Sequence, residues 1–253
     1  MRLTALLLTL AVGCDESKDA SDTGGWYDSE PNAAGESDSE TDGADDGLGS
    51  EDETTLLGLR PATTPAYVFV ANPDRDTVSR IAVPALDVIT ASVGVRPSMV
   101  ATSADHTLAV TFNEGSDSLS VIDAETLTVT EVEVRDNLNQ MALSDDGRWA
   151  ICYHDLSAED GEPDYDGAIS YNEISIVDLQ ALTHHEAVVG MFPHDVQFTD
   201  DSSTAVVVSD DYLAVLELGG GNESAPERIA LSSDTIDPPA AEEVLLDPAG
   251  QYA

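Results

Sequence analysis

The chain has 253 residues, with 50 acidic against 9 basic, for a formal net charge of −41 at pH 7. So acidic a protein lacks the basic groups that drive nucleic-acid binding by counterion release, and anionic membrane surfaces repel it. Cys14 and Cys152 are its only cysteines, too few for a disulfide scaffold or a multi-cysteine metal site.

In chain order, Met1-Arg2 is followed by an apolar run from Leu3 to Val12 and then Gly13-Cys14. One positive charge, a short apolar core and a small residue before a cut site form a secretory signal. The run is too short to span a bilayer, which takes ~20 residues. Leu10-Ala11-Val12-Gly13-Cys14 resembles the lipobox of bacterial lipoproteins. That resemblance implies cleavage before Cys14, acylation of its thiol, and export to the cell envelope, on the periplasmic face or at the cell surface. The alternative is an ordinary cleaved signal with a chance cysteine. Asp15 after the Cys resembles the inner-membrane retention signal of some Gram-negative lipoproteins, a rule that varies among bacteria.

Residues 15–60 hold 15 acidic residues against Lys18 and Arg60, a net of −13. The rest is mostly Ser, Gly and Thr without helical or strand period. Such a segment buries too little to offset its ordering entropy, and like charges extend it. It is expected to be a disordered tether between membrane and domain. Residues 61–253 carry a further net of −29, so the domain is itself acidic. That charge fits either a salt-loving source or an envelope protein that needs solubility.

A repeat begins at residue 66. Ser103-Ala104-Asp105-His106-Thr107-Leu108 matches Ser144-Asp145-Asp146-Gly147-Arg148-Trp149 and Thr199-Asp200-Asp201-Ser202-Ser203-Thr204. Asp247 to Ala253 begins a further copy. Anchored on Tyr67, Leu108, Trp149, Thr204 and Tyr252, the spacings are 41, 41, 55 and 48 residues. Each period holds four short β-branched strands with Asp, Gly and Asn turns. In the clearest copy these are Asn139–Ser144, Arg148–Tyr153, Ile174–Asp178 and His185–Val189. Copy two ends with Leu119–Asp123 and an alternating Leu127–Val134. This period predicts an all-β fold, a β-propeller of four-stranded antiparallel blades with about four present. Cys152, in an apolar strand, reads as a buried small hydrophobe.

Tyr67-Val68-Phe69-Val70-Ala71-Asn72, Thr77 to Ile81, Val93 to Pro97, Ser118 to Asp123 and Leu143 to Arg148 resemble the YVTN family of propeller repeats, a WD-like architecture. The likeness covers roughly 66–253, with longer loops in the third and fourth blades. It implies a ring of roughly seven blades, often extracellular and often without known enzymatic activity. It also implies that the strand ending in Ser-x-Asp-Gly lies innermost. Residue 66 then opens on a second strand, with its inner neighbour supplied from the C-terminus. The chain reaches the second strand of a fifth blade at Ala253, so a longer, closed protein is expected, since open sheet edges are an aggregation hazard.

Three features fall on the face where ligands enter a propeller. Ser98, Asn139, His194 and Glu242 are equivalent positions, each near the start of an inner strand, polar among apolar neighbours. They form either a polar channel mouth for a small ligand or ion, or simply the wet end of a funnel. Next, Glu162 to Glu173 resembles a twelve-residue calcium loop, with Glu162, Asp164, Asp166, the backbone of Ala168 and Glu173 as candidate ligands and Gly167 for the turn. Against calcium stand Glu at the first position and the absence of flanking helices; the alternative is a solvated acidic hairpin tip. Third, His154 and His194, expected to face the opening of one blade, suit a transition metal when joined by carboxylates. Similar propellers surround redox cofactors, but this chain has no Cys-x-x-Cys-His haem site. His184 and His185 read as solvent-facing, and Gly219-Gly220-Gly221 as a flexible connection.

No Gly-x-Ser-x-Gly elbow, phosphate-cradling loop or His-Glu-x-x-His is present. The leading expectation is a lipid-anchored, non-catalytic binding or scaffold propeller for a protein or small ligand. No cofactor is assigned with certainty, calcium being the candidate. The alternative is an enzyme or redox subunit, lactonase-like or dehydrogenase-like, with its site on the axis.

Overall fold

The computed structural model describes residues 59–158, 171–221 and 225–231. Within these residues lie sixteen strands and two 3₁₀ turns, Pro73–Arg75 and Leu156–Ala158, with no α-helix. The strands form four antiparallel four-stranded sheets in chain order. The first sheet contains β1 (Ala62–Thr63), β2 (Tyr67–Asn72), β3 (Thr77–Ala82) and β4 (Val88–Ser92). The second contains β5 (Pro97–Thr102), β6 (Leu108–Asn113), β7 (Ser118–Asp123) and β8 (Val129–Glu133). The third contains β9 (Gln140–Leu143), β10 (Trp149–Tyr153), β11 (Glu173–Asp178) and β12 (Thr183–Val188). The fourth contains β13 (Asp195–Phe198), β14 (Thr204–Val208), β15 (Tyr212–Glu217) and β16 (Glu227–Ala230). These are blades of a propeller whose ring is not closed by the described residues.

The strands that the sequence reading bounded in the second and third sheets, β7 to β12, lie within about two residues of those bounds. The first strands of neighbouring sheets touch, β1 with β5 and β5 with β9, so they line the inner side. The outermost strands β4 and β16 are almost wholly exposed. One detail departs from expectation. The first blade does not lack its inner neighbour: Ala62 and Thr63 pair with Phe69 and Val68, so the chain just before Tyr67 folds back against β2. Thr64 makes that reversal, its Oγ1 accepting the Tyr67 amide at 2.9 Å.

The second strands β6, β10 and β14 are mostly apolar because both their faces are covered. Side chains alternate across a strand, so each strand serves two neighbouring interfaces. In β10, Ala150 and Cys152 join Val110, Phe112, Leu119 and Val177 between the second and third sheets. Trp149, Ile151 and Tyr153 face the other way, joining Ile174, Ile176, Ala205, Val207 and Leu216 between the third and fourth sheets. Phe69, Val78, Ala109 and Ile122 fill the gap between the first two. Each fully buried Phe, Ile or Leu contributes about 1.5–3 kcal/mol over an exposed one. Cys152 is fully buried, and burial pushes its thiol far above the ordinary range, leaving it no nucleophile at neutral pH.

Candidate functional site

The loops that join one blade to the next meet the turns between second and third strands at one end of the sheets. Aspartates and backbone amides sew them together. The Arg96 amide donates to Asp76 Oδ1 (2.9 Å), that of Asn137 to Asp117 Oδ1 (3.2 Å) and that of Met191 to Asp211 Oδ1 (3.0 Å). From the other side, the Gly115 amide donates to the Val95 carbonyl (2.9 Å) and the Asp210 amide to the Met191 carbonyl (3.0 Å). The face is thus held by backbone bonds before any ligand arrives.

The three described ring positions follow these loops directly. His194 and Asn139 are structurally equivalent: their amides donate to the carbonyls of Val208 (3.0 Å) and Tyr153 (3.1 Å) at the ends of second strands. Asn139 spends its whole side chain on one residue, with Nδ2 donating to the Asp155 carbonyl (2.9 Å) and Oδ1 accepting the Asp155 amide (2.8 Å). His194 Nδ1 donates to the Phe192 carbonyl (3.1 Å) and lies 3.8 Å from Asp210 Oδ1. Its Nε2 and the Ser98 hydroxyl on β5 are shielded from solvent and have no hydrogen-bond partner among the described residues. The fourth ring position, Glu242, lies outside the described residues.

His154 and His194 belong to different blades, correcting their expected placement. His154 follows β10 of the third sheet, whereas His194 opens the fourth. His154 holds the position that Asn72 and Asn113 hold in the first two blades. There the amides donate to strand-three hydroxyls, Asn72 to Thr77 and Ser79 (3.0 Å each) and Asn113 to Ser118 (3.1 Å) and Ser120 (2.9 Å). In the third blade, His154 Nδ1 instead donates to the Asn137 carbonyl (2.7 Å), with only 5% of the residue exposed. The periodicity of 41 residues contained this equivalence, which the search for ring positions alone missed.

Tyr171 is the other residue that sequence reasoning passed over. Its ring lies edge-on to His154 at 5.3 Å between centroids and tilted against Phe192 at 5.6 Å, so aromatic contacts tie the β10–β11 connection of the third blade to the loop that leads into the fourth. Tyr153 belongs to the core between the third and fourth sheets. Burial, and then the nearby Asp155 and Asp195 carboxylates, push its phenol well above the usual range, so it stays protonated.

Of the calcium-loop residues, Glu162, Asp164, Asp166 and Ala168 lie outside the described residues. Glu173 begins β11 and forms a 2.7 Å ion pair with Arg135, whose other nitrogen lies 3.6 Å from Glu186. Among the described residues, no three His, Cys, Asp or Glu side chains gather as a metal site. His184 and His185 fall on the outer strand β12, with His185 exposed and His184 half-buried. Cys14 lies outside the described residues. At the opposite end, Tyr67, His106, Asp123 and Glu125 line a cavity of about 350 Å³ between the first two blades.

No family model matches the sequence, and no curated protein matches it. Solved propeller structures do. The chain is similar to Kuenenia stuttgartiensis hydrazine synthase at a TM-score of 0.51 and 20% identity, over 74% of this chain and 53% of that one. It is similar to the tricorn protease at a TM-score of 0.50 and 15% identity, over 69% of this chain and 16% of that one. The likeness is one of fold, and the chain spans about half the length of the hydrazine synthase chain.

Proposed function

We propose that this protein is a non-catalytic binding module, a propeller carried on an acidic tether and anchored in the cell envelope through an acylated Cys14. Its ligand-facing end presents preformed loops to a protein or small-molecule partner. The observation that carries this reading is where the polar groups of that end are spent. Both polar atoms of Asn139 and the Nδ1 atoms of His154 and His194 bond to backbone, which fixes loops rather than awaiting a substrate. Preformed loops suit binding, because little ordering entropy is lost when a partner arrives.

A second reading has one specific observation in its favour. His194, whose Nε2 has no hydrogen-bond partner among the described residues and whose Nδ1 lies 3.8 Å from Asp210, offers the free imidazole nitrogen that an axial enzyme or redox site would use. The test assays the full chain, in detergent, for lactone hydrolysis and for electron transfer to a dye, with His194→Ala and Glu242→Ala alongside. The binding-module reading expects no turnover above that of the variants. Turnover lost in both variants, with melting temperatures unchanged, would establish the enzyme reading instead. Mass spectrometry of the membrane-extracted protein tests the anchor, which requires acyl groups on Cys14.

A further inference from the structure

Antiparallel pairing turns alternate residues' N–H and C=O groups toward and away from the neighbouring strand. At β4 the parity is set by two bonds that bracket it, Ala82 N–H to Asp87 O and Val93 N–H to Asp76 O, both 2.9 Å. Ile89 and Ala91 therefore bond to β3. Val88, Thr90 and Ser92 turn their groups outward, where no strand follows among the described residues.

The other outer strands are guarded against edge pairing by charge. By the same parity, β8 presents Glu131 and Glu133 on its outward positions. β12 presents Glu186, and its outward Val188 carbonyl is capped by Arg228 Nη2 at 3.2 Å. β16 carries Glu227 and Arg228. β4 has no ionisable residue. Around it lie Val83, Leu86, Val88 and Ile89, exposed by 47%, 70%, 60% and 50%. From 77 to 96 the only ionisable residues are Arg80, Asp87 and Arg96, a local net of +1 in a chain of −41.

We propose that β4 is an interaction edge for β4 of a second copy of this chain, paired antiparallel about a two-fold axis at Thr90. The outward set Val88, Thr90, Ser92 is symmetric about its middle member. In that register Val88 meets Ser92 of the copy and Thr90 meets Thr90, every outward donor faces an acceptor, and two blades merge into one continuous sheet. An isologous contact of this kind closes on itself and adds no further copies. No charged side chain of β4 opposes its own copy, so this is the edge where like-charge repulsion is locally absent. The remaining negative charge of the two molecules still repels at long range, so the pairing tightens as salt screens it.

The test is sedimentation velocity over a concentration series at low and high salt, using the full chain with Cys14→Ser so that no acyl chain contributes. Thr90→Pro removes an outward N–H without touching the β3 ladder. Val88→Glu installs the missing guard and covers the case in which the proline variant does not fold. The expected result is a reversible monomer–dimer equilibrium, tighter at high salt and weakened by at least about tenfold in the variants. A protein that stays monomeric at every concentration and salt overturns the proposal. So does a dimer unmoved by Val88→Glu.

Discussion

The turn from first to second strand is built from the same three positions in the second, third and fourth blades. The hydroxyls of Ser103, Ser144 and Thr199 donate to Asp105, Asp146 and Asp201 at 2.6, 2.7 and 2.8 Å. Each also accepts the amide of the first second-strand residue, Leu108, Trp149 or Thr204. The next residue is left-handed in every copy, with φ of 64° at His106, 69° at Gly147 and 53° at Ser202. Only one of the three is glycine, and the reason lies in the neighbouring blade. A Cβ on Gly147 would come 2.5 Å from Ser103 Cβ, because this turn nests against the preceding one, with the Ala104 amide donating to the Asp145 carbonyl (2.9 Å). Gly147→Ala is therefore expected to cost more than the ~1 kcal/mol of an ordinary left-handed alanine. Urea unfolding measures it. A variant as stable as the parent would show that the two turns do not nest.

At the scale of elements, stability resides in the middle strands. Phe112 of β6 is fully buried between the second and third sheets. Phe112→Ala is expected to lose about 3–5 kcal/mol, the range for a large core aromatic. Ile229→Ala on the outer strand β16, where the side chain is 47% exposed, is expected to lose less than about 1 kcal/mol. Comparable losses at the two sites in thermal unfolding would contradict this layering. The middle strands were legible because both faces are buried and their turns carry Asp and Gly. β1 was not legible, because Ala62-Thr63 has no pattern of its own and becomes a strand only by pairing with β2. Of the candidate site, the equivalence of Asn139 and His194 followed from repeat spacing. The contact of Tyr171 with His154 and Phe192 did not, because it joins loop residues that no repeat spacing or strand pattern relates.

For the whole molecule, charge sets how stability responds to solvent. The net of −29 carried by residues 61–253 is a self-repulsion that salt screens, so the melting temperature at pH 7 is expected to rise with added NaCl. In high salt, the acid limb then reports the turn aspartates. The Ser103 hydroxyl lowers the pKa of Asp105, and the Ser203 hydroxyl that of Asp201, below the ordinary 3.8. Asp178 is lowered too, since bonds from the Ala181 and Gln180 amides and Arg148 outweigh its burial, which acts the other way. A carboxylate that holds its proton less tightly when folded contributes stability above the unfolded value and loses it as pH falls through the folded one. Stability in high salt should accordingly decline below about pH 3.8. A melting temperature indifferent to salt, or an acid limb that Asp105→Asn and Asp201→Asn leave unchanged, would contradict the account.

The amino-acid sequence by itself determined the repeat, the four-stranded blade, the turns and the acidity, because these depend on residues close along the chain and on composition. The tertiary structure decided which polar residues are spent on backbone and which are not. It turned His154 onto the Asn137 carbonyl, set Tyr171 against His154 and Phe192, and left β4 as the uncharged outer edge. Those outcomes depend on which strands become neighbours and which way each strand turns its hydrogen-bonding groups, quantities that the register sets.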